Sequence, residues 1–308
     1  MLLSGCASAP TRSAATALSI RAHPAIPDPL VDATLRAMIE DRGGALSAQG
    51  GLRSSDVAEQ LKRSACRVSL KPVNTSILDL PEVYTQSVPG TLVLARIFLC
   101  DKCPHWHTRS AATAFAISAD GVCVTNYHVF EHDDDGSTLV VADAWGNTHL
   151  VLEILAANKR NDIAIFRVSL DNGPLTPLPL LTDAPVGTSV AVISHPANHY
   201  FSLSPGVVSR RSGRLRGMNN DIKDPAPDES HREPGDAPAR IITPTLEITA
   251  DYGVGSSGGP VLDMRGNVLG MVSNTMPVYA DPKDRRSLQM SFHHCVPSAS
   301  ILELITRD

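Results

Sequence analysis

Three polar residues whose types complement one another stand at the ends of apolar runs. His128 follows Val122-Cys123-Val124-Thr125, Asp162 precedes Ile163-Ala164-Ile165-Phe166, and Ser257 sits within Gly253-Val254-Gly255-Ser256-Ser257-Gly258-Gly259-Pro260. A serine hydroxyl is a weak nucleophile until a base takes its proton and an acid orients that base. Glycines around the serine let a substrate carbonyl approach the main chain, so the N–H groups of Gly255 and Ser257 would form an oxyanion hole. Taken singly, a surface histidine or a turn aspartate is ordinarily structural. As a set, in the order His, Asp, Ser, they point to acyl transfer: Ser257 as nucleophile, His128 as general base and acid, Asp162 as orienting carboxylate.

Such a site needs rigid supports. From about Val83 onward, short β-like runs are separated by Gly, Asp or Asn turns: 91–100, 113–117, 122–125, 138–141, 149–155 and 163–168. Pro174, Pro177, Pro179 and Pro185 break the chain into a connector. A second set follows at 189–193, 206–209, 241–249, 260–264, 268–273 and 290–297. The pattern predicts an all-β protein of two six-stranded antiparallel β-barrels. A capping box at Ser300–Glu303 would open a short C-terminal helix. The charged, proline-containing stretch Arg210 to Arg240 reads as a long surface loop or hairpin, with a lid over the site as the sharper alternative.

Before the barrels, Val31, Leu35, Met38 and Ile39 recur at helical spacing, and Gly43-Gly44 would end that helix. A second helix would start at Asp56 in the capping box Asp56-Val-Ala-Glu59. The expected organisation is therefore a tether over 1–19, a helical extension over 20–82, and a catalytic domain over 83–304, its barrels at 83–173 and 186–304.

A hydrophobic content of 43% and a charged content of 19% are ordinary for a chain that buries a core. The net charge of −5 argues against a nucleic-acid surface, since phosphate binding needs a basic excess. No uninterrupted apolar run approaches the length that spans a bilayer. Of the six cysteines, Cys6 closes Leu3-Ser4-Gly5-Cys6, which resembles the lipobox of bacterial lipoproteins. That resemblance implies lipidation of Cys6, with Ala7 to Ser19 as a flexible tether, although only five residues precede it. Cys100-Asp-Lys-Cys103-Pro-His105-Trp106-His107 has the residue types of a zinc site, but all four ligands would come from eight residues. In an exported chain a disulfide involving Cys100 and Cys103 is the simpler expectation. Cys123 reads as a buried thiol, and Cys66 with Cys295 is a conceivable pair whose connectivity spacing does not decide.

The motifs Gly121-Val-Cys-Val-Thr-Asn-Tyr-His128-Val, Asn-Asp162-Ile-Ala-Ile and Gly-Ser-Ser257-Gly-Gly-Pro-Val together resemble trypsin-like serine peptidases. Pro205-Gly-Val-Val-Ser209 and Gly266-Asn-Val-Leu-Gly270 bring the likeness nearest to the bacterial HtrA/Deg branch, here without the PDZ domain many of its members carry. The likeness covers roughly Val83 to Leu304. It implies a cofactor-free serine endopeptidase acting on polypeptides, in the periplasm or cell envelope. In secreted trypsins an aspartate precedes the serine and pairs with a newly cut N-terminus. Here Ser256 stands in that place, so activation by such an ion pair is not expected.

Two other function classes fit parts of the pattern. Gly255-x-Ser257-x-Gly259 also matches the nucleophile elbow of α/β-hydrolases, with His293 or His294 as base and Asp281 or Asp284 as acid. That elbow needs a helix directly after the serine, and Gly258-Gly259-Pro260 starts a helix poorly. A catalytically silent binding module of trypsin fold is the third reading, although all three catalytic positions are filled. For specificity, Asp251 lies six residues before Ser257, the offset at which trypsins carry the acid that attracts Arg or Lys. The alternative gives Asp251 a turn-capping role and makes Met271, Val272, Ser273, Asn274 and Thr275 a pocket wall suited to Val or Ala.

Overall fold

The computed structural model describes residues 24–131, 136–215 and 242–306. Its elements in chain order are α1 (Asp32–Ser47), α2 (Ser54–Gln60), β1 (Cys66–Arg67), α3 (Leu80–Ser87), β2 (Thr91–Leu99), β3 (Trp106–Ala116), β4 (Val122–Thr125), β5 (Ser137–Ala142), β6 (Thr148–Asn158) and β7 (Ile163–Val168). Then come β8 (Ser189–Ser194), β9 (Ser202–Leu215), β10 (Ile242–Ile248), β11 (Pro260–Asp263), β12 (Val268–Tyr279), β13 (Leu288–Pro297), α4 (Ser298–Leu302) and β14 (Ile305–Thr306). The strands close into two six-stranded barrels, in the orders β2-β3-β4-β7-β6-β5 and β10-β13-β12-β11-β8-β9. Every neighbouring pair in the barrels is antiparallel.

Closure removes free sheet edges, and the apolar runs of the sequence become the barrel interiors. Leu92, Leu94, Ala114, Cys123, Val141, Ile154 and Phe166 are buried together on one face of the barrel-one strands, and Val190, Val192, Leu246, Ile248 and Val261 are buried together in barrel two. The alternating residues Val93, Ala95, Ile97, Phe115, Val124, Ile163 and Ile165 join a cluster shared with Leu35 and Ile39 of α1 and with Ala191 and Ile193 of barrel two. The connector between the barrels returns to the second one, where Leu180 bridges Val268 in parallel.

The helices before the barrels differ from expectation. α1 runs through Gly43-Gly44 to Ser47. A Cβ on Gly43 would lie 2.7 Å from the Ile97 side chain, and one on Gly44 would strike Trp106. The glycines are there because the helix lies flush on barrel one, with Leu35, Ile39 and Gly43 buried along one face. That packing offsets the roughly 1 kcal/mol that glycine costs in a helix interior. α2 begins at Ser54 with Arg53 as its N-cap, so Asp56 lies inside the first turn. A complete capping box occurs instead on α3, between Asp79 and Glu82. In α4 the N-cap is Pro297 and Ser300 lies within the helix. The chain end is sewn back to the helical region by the parallel pairing of β1 with β14.

Of the stretch Arg210 to Arg240, expected as a long surface loop or hairpin, the described part is hairpin strand, β9 pairing with β10 from Leu215↔Ile242 down to Arg210↔Glu247. The remainder of that stretch, and the Cys6 motif with its tether, lie outside the described residues.

Candidate active site

Register brings the three candidate residues to neighbouring strand ends. Thr125 of β4 pairs with Ala164 of β7, so His128 and Asp162 leave the same end of barrel one. Pro260 of β11 pairs with Met271 of β12, so Ser257 and Ser273 leave the same end of barrel two.

His128 sits in a 3-10 turn, Tyr127–Val129. Its Nδ1 lies 3.0 Å from both Asp162 Oδ1 and Oδ2, and its backbone N–H donates to Oδ1 at 3.1 Å. A carboxylate only accepts, so Nδ1 carries the proton and Nε2 is left with a free lone pair. Asp162 has a left-handed backbone with φ of 56°, and Asn126 Nδ2 donates to its carbonyl at 3.0 Å. Ser273 Oγ donates to Asp162 Oδ2 at 2.8 Å. The hydrogen bond that His128 donates to Asp162 raises the His128 pKa above its ordinary 6.5, against the opposing effect of burial.

Ser257 Oγ donates to the Ser273 carbonyl at 3.4 Å. Ser273 thus touches the Ser257 hydroxyl through its carbonyl and the Asp162 carboxylate through its hydroxyl. Among the described residues no hydrogen bond joins Ser257 to His128. Such bonds often tighten only when substrate is bound.

The backbone around Ser257 is fixed from several sides. The amides of Ser256, Gly258 and Gly259 are engaged by the carbonyls of Gly253, Val272 and Ser256. Those of Gly255 and Ser257 donate to no acceptor among the described residues. The Val254 carbonyl accepts from Ala197 N–H at 2.7 Å. A trans peptide sets C=O and N–H on opposite sides, so the Gly255 N–H is aimed away from Ala197. Gly255 has φ of 97° and Gly258 of 87°. A Cβ on Gly258 would overlap the Thr113 carbonyl and the Thr125 hydroxyl.

Two residues that sequence reasoning did not assign, Thr113 and Ser194, hold this turn. Thr113 of β3 donates from its N–H to the Ser257 carbonyl at 2.8 Å and from Oγ1 to the Gly255 carbonyl at 2.9 Å. Ser194, ending β8, donates to the fully buried Ser256 Oγ at 2.9 Å. Ser256 is therefore a neutral buried anchor where trypsins carry an aspartate. Ser273 had been placed only in the pocket wall, and its hold on Asp162 spans 111 residues of sequence. Only Ser194, a polar residue closing an apolar run, left any local signal.

The other expected pocket residues are dispersed. Met271 and Val272 are core side chains, 0% and 1% exposed, whereas Asn274 and Thr275 are exposed. The Asp251 side chain is 95% exposed and lies 3.8 Å from His293 Nε2. No backbone amide among the described residues donates to it, and it is not enclosed. His293 and His294 belong to β13, paired with β10 and β12, and Gly258-Gly259-Pro260 leads into a strand. Among the described residues the only parallel pairing of named strands is the two-residue one of β1 with β14, and no helix directly follows the serine, so the α/β-hydrolase alternative lacks its sheet and its elbow.

A family model described as a trypsin-like peptidase domain matches residues 112–271, just over half of the 308-residue chain. The chain belongs to that family. The trypsin-like peptidase domain it carries is similar to that of named relatives. A Sinorhizobium fredii protein called "Uncharacterized protein y4bJ" is 30% identical over 171 residues, covering 56% of this chain and 23% of its own length. A "Probable periplasmic serine endoprotease DegP-like" of Halomonas elongata is 27% identical over 165 residues, 54% of this chain and 29% of its own. One of the same name from Pseudomonas fulva is 23% identical over 262 residues, 83% of this chain and 45% of its own. The trypsin-like chain thus spans less than half the length of these relatives. Among its described residues no helix is long and apolar enough to cross a membrane.

The described cysteines, Cys66, Cys100, Cys103, Cys123 and Cys295, are free thiols. Cys123 and Cys295 are buried in different core clusters, and burial pushes the Cys295 thiol up to about 12. Cys66 packs against a third cluster, beside the Leu304 carbonyl, so the conceivable Cys66–Cys295 pair is separated by the fold. Cys103 Sγ meets His107 Nε2 at 3.2 Å, in place of the expected disulfide.

Proposed function

We propose that this chain is a serine endopeptidase that works through Ser257, His128 and Asp162. Ser257 Oγ attacks the scissile carbonyl carbon while its proton passes to His128 Nε2, and Asp162 stabilises the imidazolium. The resulting oxyanion is bound by the N–H groups of Gly255 and Ser257. Collapse returns the proton to the leaving amine and leaves an acyl-serine, which water cleaves by the same route. The observation that carries this reading is the meeting of the Asp162 carboxylate and the Ser257 hydroxyl on one residue, Ser273. The substrates are polypeptides, and the compartment is the periplasm or cell envelope, with Cys6 as lipid attachment point. The names of the relatives support that compartment.

The test is labelling of the purified protein by a fluorophosphonate, which reacts with activated serines. One label per active chain, absent from Ser257→Ala, is the expected result. A protein that is folded and unlabelled is the silent binding module instead.

We further propose a preference for small aliphatic side chains at the cleavage site. A basic side chain gains most from an acid in a desolvated pocket, and Asp251 is 95% exposed with His293 beside it. Peptide-library profiling should find cleavage after Val or Ala that is unchanged in Asp251→Asn. Cleavage after Arg or Lys, lost in that variant, would sink the idea.

A further inference from the structure

The far tip of the β2–β3 hairpin gathers a second set of reactive side chains. The sulfurs of Cys100 and Cys103 and a ring nitrogen of His107 all lie within 4.8 Å of one another. We propose that Cys100, Cys103 and His107 bind a thiophilic divalent cation, with zinc as the expected occupant and solvent in the fourth position.

The geometry suits that ion. Zinc holds sulfur at about 2.3 Å and imidazole nitrogen at about 2.0 Å in a tetrahedron, so its ligand atoms stand roughly 3.5–3.8 Å apart. The Cys103 Sγ to His107 Nε2 distance of 3.2 Å needs only a small opening to reach that range. The cramped spacing that the sequence suggested is resolved by the turn. Cys100 N–H donates to the His105 carbonyl at 3.0 Å, folding the intervening residues back on themselves. Lys102 N–H donates to Cys100 Sγ at 3.4 Å, the kind of bond that stabilises a thiolate.

The histidine is also pre-positioned. Successive side chains of a strand alternate in direction. Trp106 faces Gly44 of α1, which sends His107 to the other face. There its ring packs against Phe98, its register partner, at 6.0 Å between centroids. A disulfide would use both sulfurs and give His107 no part. A third ligand at contact distance from Cys103 is what a metal site adds. All three residues are only partly buried, so an ion can enter from solvent. On binding, each thiol loses its proton to solvent, and neutral His107 binds through Nε2 with its proton on Nδ1. The ion would clamp the hairpin at one end, about 20 Å along β3 from Thr113, which holds the Ser257 turn at the other.

The probe is cobalt(II), added to the reduced, chelator-treated full chain without air. The expected result is about one equivalent bound, with thiolate-to-cobalt charge-transfer absorption and the strong visible bands of a tetrahedral site, both erased by zinc. Cys100→Ser, Cys103→Ser and His107→Ala should each weaken binding by more than about tenfold, while Cys66→Ser should not. Circular dichroism of the His107→Ala protein separates loss of a ligand from loss of fold. Because the wild-type spectrum alone reports thiolate ligation, absence of the charge-transfer bands overturns the proposal. So does a Cys100–Cys103 disulfide found by alkylation and intact mass in protein kept with zinc.

Discussion

Ser257→Ala and His128→Ala should each lower kcat for peptide hydrolysis by on the order of 10⁶-fold, and the double variant should be no worse than either alone. The residues act as one unit: without the hydroxyl there is nothing for the base to activate, and without the base the hydroxyl keeps its proton. What remains is binding and oxyanion stabilisation, worth about 10³–10⁴ over water. The fold should survive, because Ser257 Oγ makes only a 3.4 Å bond and the His128 side chain is 43% exposed. Steady-state kinetics with thermal melts of all three variants checks this. Substantial turnover by folded Ser257→Ala would remove the mechanism.

Asp162→Asn should cost about 10⁴-fold in kcat. The asparagine amide would either turn an N–H against His128 Nδ1–H or force the proton to Nε2, where a base for Ser257 is needed. Its amide would also meet Ser273 Oγ–H, which donates to the carboxylate at 2.8 Å. The substitution has a pH signature as well. Asp162 is the main cause of the raised His128 pKa, so in the wild type the acid limb of kcat/KM should lie above 6.5, activity falling as His128 becomes protonated. The sign for stability is opposite. A raised folded pKa contributes stability that is fully present below the unfolded value and is lost as pH rises through the folded one. The pair therefore adds stability at acid pH, where the enzyme is silenced. NMR titration of His128 in Asp162→Asn should show its pKa moving down, and an unchanged value would refute the assigned cause.

Much of the fold was legible because apolar runs between turns are sufficient signals for buried strands. β4 at 122–125 and β7 at 163–168 match the expected bounds. Strands that outrun their apolar part were read short. β9 reaches Leu215 through the polar stretch Arg210-Arg211-Ser212-Gly213-Arg214, and β12 reaches Tyr279 through exposed or half-buried residues, where cross-strand pairing rather than full burial keeps the chain extended. Gly43-Gly44 misled because a glycine that ends a helix and one that lets a helix touch a sheet look alike in sequence. The helix N-termini failed for a related reason: acid-x-x-Glu is common, and only Asp79, followed by Leu80-Pro81, carries a proline at the first helical positions to mark the register. In the site, the residues that would do the chemistry carry local motifs. Their supports do not. Ser194 and Ser256 are 62 residues apart, and Thr113 and Gly255 are 142 apart, so only tertiary structure brings these pairs together.

The Thr113 bridge also bears on how the proposed activity depends on both barrels. Its amide and hydroxyl belong to the first barrel, and the carbonyls they hold belong to the nucleophile turn of the second. His128 and Asp162 likewise leave strands of the first barrel, and Ser257 leads into a strand of the second. Neither barrel folding alone assembles a cutting centre, nor does it set the backbone around the serine. On the proposed mechanism, cleavage therefore requires both barrels docked together.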